Sequence, residues 1–122
     1  MSGNVSFNFA DNDGFFVLGA GDYLFKTKWS RAGNDSIHAY GNIGYKAGET
    51  QFPRYQQIAD FNFSSHSRTI RTDEIVIFQN ECGNFVAIKM GKVESSNHGY
   101  QIDKMLFEYM IYDFDVKIEH RV

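Results

Sequence analysis

Lys26, Lys28, Arg31, His38 and Tyr40 crowd one short stretch of this chain. The cations bring charge, the guanidinium of Arg31 offers a bidentate fork to a carboxylate or phosphate, and the Tyr40 ring offers a stacking face to a base or a sugar. A second group of donors lies in Ser64-Ser65-His66-Ser67-Arg68-Thr69-Ile70-Arg71-Thr72, with no acid until Asp73. Extended, that segment puts His66 and Arg68 on one side and Ser65, Ser67, Thr69 and Arg71 on the other, a strip suited to phosphate or carboxylate. These groups point to a binding module for a small anionic ligand, nucleotide-derived ligands among them, held by Lys28, Arg31, His38, Tyr40, Arg68 and Arg71. Two plainer readings stand beside this one. Long cations commonly lie along a solvated sheet face, and loop hydroxyls commonly satisfy their own backbone.

Catalysis is not expected. His66 sits between two serines and Asp73, Glu74 or Glu108 could orient it, but the members of a hydrolytic triad come from separated segments, not adjacent positions. His38, His66, His98 and His120 are dispersed without paired ligand spacing, so neither a metal nor another cofactor is implied. Asp11 and Asp13 resemble part of a calcium loop, yet the glycine arrives early and no bidentate glutamate follows. The single cysteine, Cys82, falls in the turn Asn80-Glu81-Cys82-Gly83-Asn84 and reads as a surface thiol.

These residues have to be positioned by one domain. A chain of 122 residues needs no second core, so residues 1–122 form a single β-domain. A net charge of −3 lacks the cationic excess that drives binding to duplex nucleic acid, which leaves any anion site local. The apolar runs are too short to cross a bilayer and the N-terminus carries no secretory pattern, so no membrane partner and a cytoplasmic location are expected.

Phenylalanine, tyrosine, isoleucine and valine dominate the apolar content, which favours pleated, half-buried strands. Val5, Phe7 and Phe9 alternate, Asp11-Asn12-Asp13-Gly14 turns, and Phe15-Phe16-Val17-Leu18 follows, which reads as an opening hairpin. Tyr23, Phe25, Thr27 and Trp29 share one face of the next strand and Leu24, Lys26 and Lys28 the other. If apolar residues meet across the following turn, Trp29 faces Ile37, Thr27 faces Ala39, Lys28 faces His38 and Lys26 faces Tyr40. Trp29 then points to the core side at its strand's end, with its indole N–H directed to a loop partner, and the alternative is a place at the rim of a site in direct contact with a ligand. Gly41, Gly44 and Gly48 interrupt the next region, Pro53 can open a short helix near residues 53–59, and Phe61-Asn62-Phe63 can form a short strand.

The last third is most regular. Glu74-Ile75-Val76-Ile77-Phe78 and Phe85-Val86-Ala87-Ile88-Lys89-Met90 form a hairpin, and residues 105–111 extend it as a meander. Apolar residues on both faces require a covering layer on each side. Apolar parity then switches from Met105, Phe107, Tyr109 and Ile111 to Phe114, Val116 and Ile118, implying a bulge or bend near Tyr112-Asp113 before a charged edge strand. The sum is an all-β fold, a small antiparallel barrel or sandwich of about seven or eight strands.

The segments GDYLFKTKWSRAGNDSIHAY, SRTIRTDEIVIFQNECGNFVAIKMGKVE and MLFEYMIY together resemble a small β-domain found in some bacterial proteins that also carry a Toll/interleukin-1 receptor domain. The resemblance covers most of residues 14 to 112 and includes no catalytic signature. It implies an accessory, ligand-sensing role in bacterial or phage defence or signalling. Two alternatives come from other features. Tyr100, Tyr112, Phe114 and the C-terminal strand would suit a homo-oligomer or a protein-interaction module, and flat aromatics on a β-scaffold would suit a carbohydrate.

Overall fold

The computed structural model of the chain describes residues 1–10, 12–33, 35–94, 104–114 and 116. Its strands are β1 (Ser2–Asn8), β2 (Phe15–Leu18), β3 (Phe25–Arg31), β4 (Ser36–Tyr40), β5 (Ile43–Tyr45), β6 (Ser67–Arg71), β7 (Ile75–Gln79), β8 (Phe85–Glu94) and β9 (Lys104–Ile111). They form a five-stranded sheet in the order β1-β9-β8-β7-β5 and a four-stranded sheet in the order β2-β3-β4-β6. Every pairing is antiparallel. The all-β expectation holds, as a sandwich whose two sheets are not closed into a barrel.

Alternation builds the layer between the sheets. Phe25, Thr27 and Trp29 of β3, Ile37 and Ala39 of β4 and Ile70 of β6 are buried against Val76, Phe78, Ile88, Met90, Met105 and Phe107 of the larger sheet. Trp29 bridges the two layers. Its ring lies 5.3 Å from Phe78 and 6.0 Å from Phe107, centroid to centroid. At one open side of the sandwich Phe7 of β1 meets Phe16 of β2 at 5.0 Å, closing the core where no strand pairing does.

The reverse face of the larger sheet carries Ile75, Ile77 and Ala87, and a separate cover lies over it. That cover comprises Phe52, Tyr55, Ile58, Phe61 and Phe63, with Tyr112 and Val116. The short helix expected near residues 53–59 is present as a 3-10 helix over Tyr55–Asp60, tied at its start by the Arg54 N–H donating to Gln57 Oε1 at 2.8 Å. Asn62 makes one bridge to Tyr45 at the β5 edge. The Phe63 ring packs so closely on Gly44 that a Cβ there would lie 2.4 Å from it. Both faces of β7 are thus covered, as its unbroken apolar run requires.

Several expectations are corrected. Residues 2–8 and 15–18 do not form a hairpin: β1 pairs with β9 and β2 with β3, because the turn between them carries the chain from one sheet to the other. The β3–β4 register sets Trp29 opposite Ala39 and Lys28 opposite Tyr40, two residues from the expected alignment. A two-residue slip preserves which face each side chain takes, so alternation does not separate the two registers, and the length of the connecting turn enters the choice. The indole N–H donates to Thr27 Oγ1 at 2.8 Å rather than to a loop, and Thr27 Oγ1 donates to the Phe16 carbonyl at 2.7 Å. Residues 67–71 form the strand β6 rather than a polar connection. The register break falls in β8, between Met90 and Val93, and the sheet ends at Ile111. Phe114 and Val116 are helical rather than extended, and residues 115 and 117–122 of the expected edge strand lie outside the described residues.

Tyr112 is also corrected, from a surface aromatic to a fully buried one whose hydroxyl donates to the Pro53 carbonyl. Burial raises its phenol pKa well above the ordinary 10.0. The unfolded chain releases this proton near the ordinary value while the folded chain keeps it. The resulting stabilisation is complete below about pH 10 and is lost as pH rises through the folded-state value. Denaturation midpoints followed from about pH 9 to about pH 11 are expected to fall more steeply for the wild type than for Tyr112→Phe. Equal slopes would remove Tyr112 as the cause.

Candidate binding face

The outer surface of the four-stranded sheet is set by strand parity. β2 presents Phe15 and Val17, β3 presents Lys26, Lys28 and Ser30, β4 presents His38 and Tyr40, and β6 presents Ser67, Thr69 and Arg71. The registers align these in rows. Phe15, Lys28, Tyr40 and Ser67 make one row across all four strands, and Ser30, His38 and Thr69 make the next. None of these strand positions holds a carboxylate.

Neighbouring side chains fix one another. Lys26 Nζ lies 4.4 Å and Lys28 Nζ 5.0 Å from the centroid of the Phe15 ring, so one ring positions both ammonium groups. Ser30 Oγ and Tyr40 Oη are hydrogen-bonded at 2.7 Å, which holds the phenol along the sheet. His38 Nδ1 is 2.9 Å from Thr69 Oγ1, and its ring meets that of Tyr40 edge to face at 6.3 Å. Among the described residues neither lysine is paired with an acid.

No protein-family model, curated protein or solved structure matches this chain.

Of the residues expected to bind, Lys28, His38, Tyr40 and Arg71 share this face, with Arg71 at the end of β6. Arg31 takes the parity of Trp29 and lies at the end of β3, beside a hollow of about 240 Å³ that Phe9, Ala10 and Asp13 also line. Arg68 takes the parity of Ile70 and turns inward: its guanidinium lies 5.3 Å from the Tyr45 ring centroid, and its Nε is buried with no hydrogen-bond partner among the described residues. The six do not converge. Arg68 instead joins a structural network in which Glu74 accepts from the Tyr45 hydroxyl at 2.5 Å and from the Arg71 N–H at 2.9 Å. The hydrogen bond to Glu74, and then burial, raise the Tyr45 phenol pKa.

Sequence reasoning missed Phe15 and Ser30 as members of the face, and held Ser67 and Thr69 to be part of a separate strip rather than of the same sheet surface as Lys28 and Tyr40. The signal for Phe15 lay in its odd parity beside Val17, but the assumed β1–β2 hairpin gave it the wrong neighbour. Phe15, Val17 and Lys26 also border a cleft of about 670 Å³ between the β1 and β2 edges, where Asp13 contributes an acid. Among the described residues no cluster of three or more histidine, cysteine or acidic side chains could hold a metal ion, and no helix is long and apolar enough to cross a membrane. His98 and His120 lie outside the described residues. Cys82 is free and exposed. Of the aromatics suggested for assembly, Phe114 is 68% exposed, Tyr112 is buried, and Tyr100 lies outside the described residues.

Proposed function

We propose that this protein is a non-catalytic binding module that captures a small anionic ligand, nucleotide-derived ligands among them, on the outer face of its four-stranded sheet. One observation carries the reading: a chain of net charge −3 places Lys26, Lys28, Arg71 and His38 on a face whose strand positions bear no acid. Lys26 and Lys28 supply the charge, Tyr40 and Phe15 supply ring faces for a base or sugar, and Ser30 and Thr69 supply hydroxyl donors. The sequence likeness to β-domains that accompany Toll/interleukin-1 receptor domains supports an accessory role in defence or signalling.

Calorimetric titration with nucleoside mono-, di- and triphosphates and sugar phosphates tests it. Wild-type protein is expected to give saturable heat with at least one phosphate. The double variant Lys26→Ala, Lys28→Ala is expected to weaken that binding about 10- to 100-fold, equivalent to about 1.4–2.8 kcal/mol for two charge-assisted contacts. Both lysines are exposed, so the thermal midpoint should hardly move. Absence of binding by any phosphate compound, monomeric or oligomeric, or equal affinity of the double variant, would refute the reading.

A further inference from the structure

We infer that the occupant of this face is a single-stranded nucleic acid rather than a free mononucleotide, an inference that rests on the anion-binding reading above. The row Phe15, Lys28, Tyr40, Ser67 crosses the whole sheet, and at about 4.8 Å per strand it extends over about 14 Å. Within it the two ring-bearing strand positions lie about 10 Å apart, two strand spacings, with the Lys28 position between them. One nucleotide can stack on only one of these rings. A chain of several nucleotides can place bases on Phe15 and on Tyr40 while its phosphates pass Lys28 and Lys26, because ring-bearing and cationic positions follow one another along the row as bases and phosphates do.

Other features agree with this occupant. The face is a platform open across four strands, whereas a small ligand is usually held in a concave, mostly apolar pocket. Ser30, Thr69 and Ser67 add neutral donors beside the rings, suited to phosphate oxygens or to a ribose hydroxyl. A duplex is disfavoured because its base faces are covered by stacking and because the chain as a whole is acidic. The lysines rest on Phe15 through contacts of 4.4 and 5.0 Å to its ring centroid, and their flexible stems can release it toward a phosphate while the ring receives a base.

Fluorescence anisotropy with labelled oligo(dT) and oligo(U) of four and eight nucleotides, set beside calorimetry with the mononucleotides, decides the matter. Affinity is expected to rise at least about tenfold from mononucleotide to tetranucleotide, and to fall with salt with a log–log slope of about −1.4 to −2.1 for two or three phosphate contacts. Phe15→Ala and Tyr40→Ala are each expected to weaken oligonucleotide binding about five- to tenfold, as loss of one stacked base requires. Lys28→Glu, a charge reversal at an exposed position that leaves both rings in place, should weaken binding at least as much, and circular dichroism of each variant confirms folding. Mononucleotide binding with no gain on lengthening would overturn this inference and leave the anion-binding reading standing. Silence from mononucleotides and oligonucleotides alike would overturn both. Equal binding of a duplex or of heparin, indifferent to Phe15→Ala and Tyr40→Ala, would also overturn the single-strand assignment.

Discussion

Trp29→Ala is expected to lower the folding free energy by about 3–5 kcal/mol, the range for removing a large aromatic from a packed core. Trp29 is 1% exposed and reaches Phe78 of β7 and Phe107 of β9 from its own strand in the opposite sheet. Its loss empties a contact that joins the layers. It also deprives Thr27 Oγ1, itself fully buried, of the donor at 2.8 Å, leaving that oxygen its single bond to the Phe16 carbonyl. Trp29→Phe keeps much of the ring volume and should cost distinctly less. Urea denaturation of the two variants checks the order, and a cost for Trp29→Ala below about 1.5 kcal/mol would contradict the central position of the indole.

Gly14→Ala is expected to be of similar size, about 2–6 kcal/mol, for a different reason. Gly14 has φ of +83°, and a Cβ there would lie 2.0 Å from the Trp29 carbonyl oxygen. Backbone stands in the way, so no rotamer change relieves the clash. Moving either segment would disturb β3 where its indole is packed. Gly48 separates the two components of the cost: its φ is +82°, but nothing lies within 4 Å of the added Cβ. Gly48→Ala should therefore show only the left-handed strain, about 1 kcal/mol. Midpoints of thermal or urea unfolding compare them directly, and equal losses would rule out the contact with Trp29 as the cause.

Local alternation made much of this architecture legible. The faces of β3, the β7–β8 hairpin and the β9 meander follow from which residues recur every second position, and so does the need to cover β7 on both sides. Register and long-range partnership did not follow. Sliding β3 past β4 by two residues leaves Trp29 inward in both alignments, so alternation does not choose between them, and the connection that joins the strands has a part in the choice. β1 pairs with a strand about a hundred positions away, a choice made by packing Val5 and Phe7 against Phe107 and Met105 rather than by the adjacent turn.

The candidate face was legible to the same extent. Parity grouped Lys26 and Lys28, and His38 with Tyr40, but Arg68 had to be on one side of β6 and parity alone does not say which side is inside. Ile70 decides that, because it is fully buried and carries Arg68 inward with it. Tyr112 escaped for a related reason. It follows the last residue of β9, where alternation ends, and the Pro53 carbonyl that receives its hydroxyl comes from a remote segment.

The pairing of β1 with β9 has a consequence for how the molecule comes into being. Residues 2–8 are made about a hundred residues before their hydrogen-bonding partners at 104–110. During synthesis the first ribbon must wait, unzipped, while the smaller sheet and the β7–β8 hairpin can already assemble behind it. Closing so long a loop places docking of the N-terminal ribbon late on the folding route and puts the chain among the slower, millisecond-to-second folders of comparable length. Phe7 in that ribbon and Phe9 just beyond it, both buried in the finished fold, meanwhile offer a chaperone greasy surface.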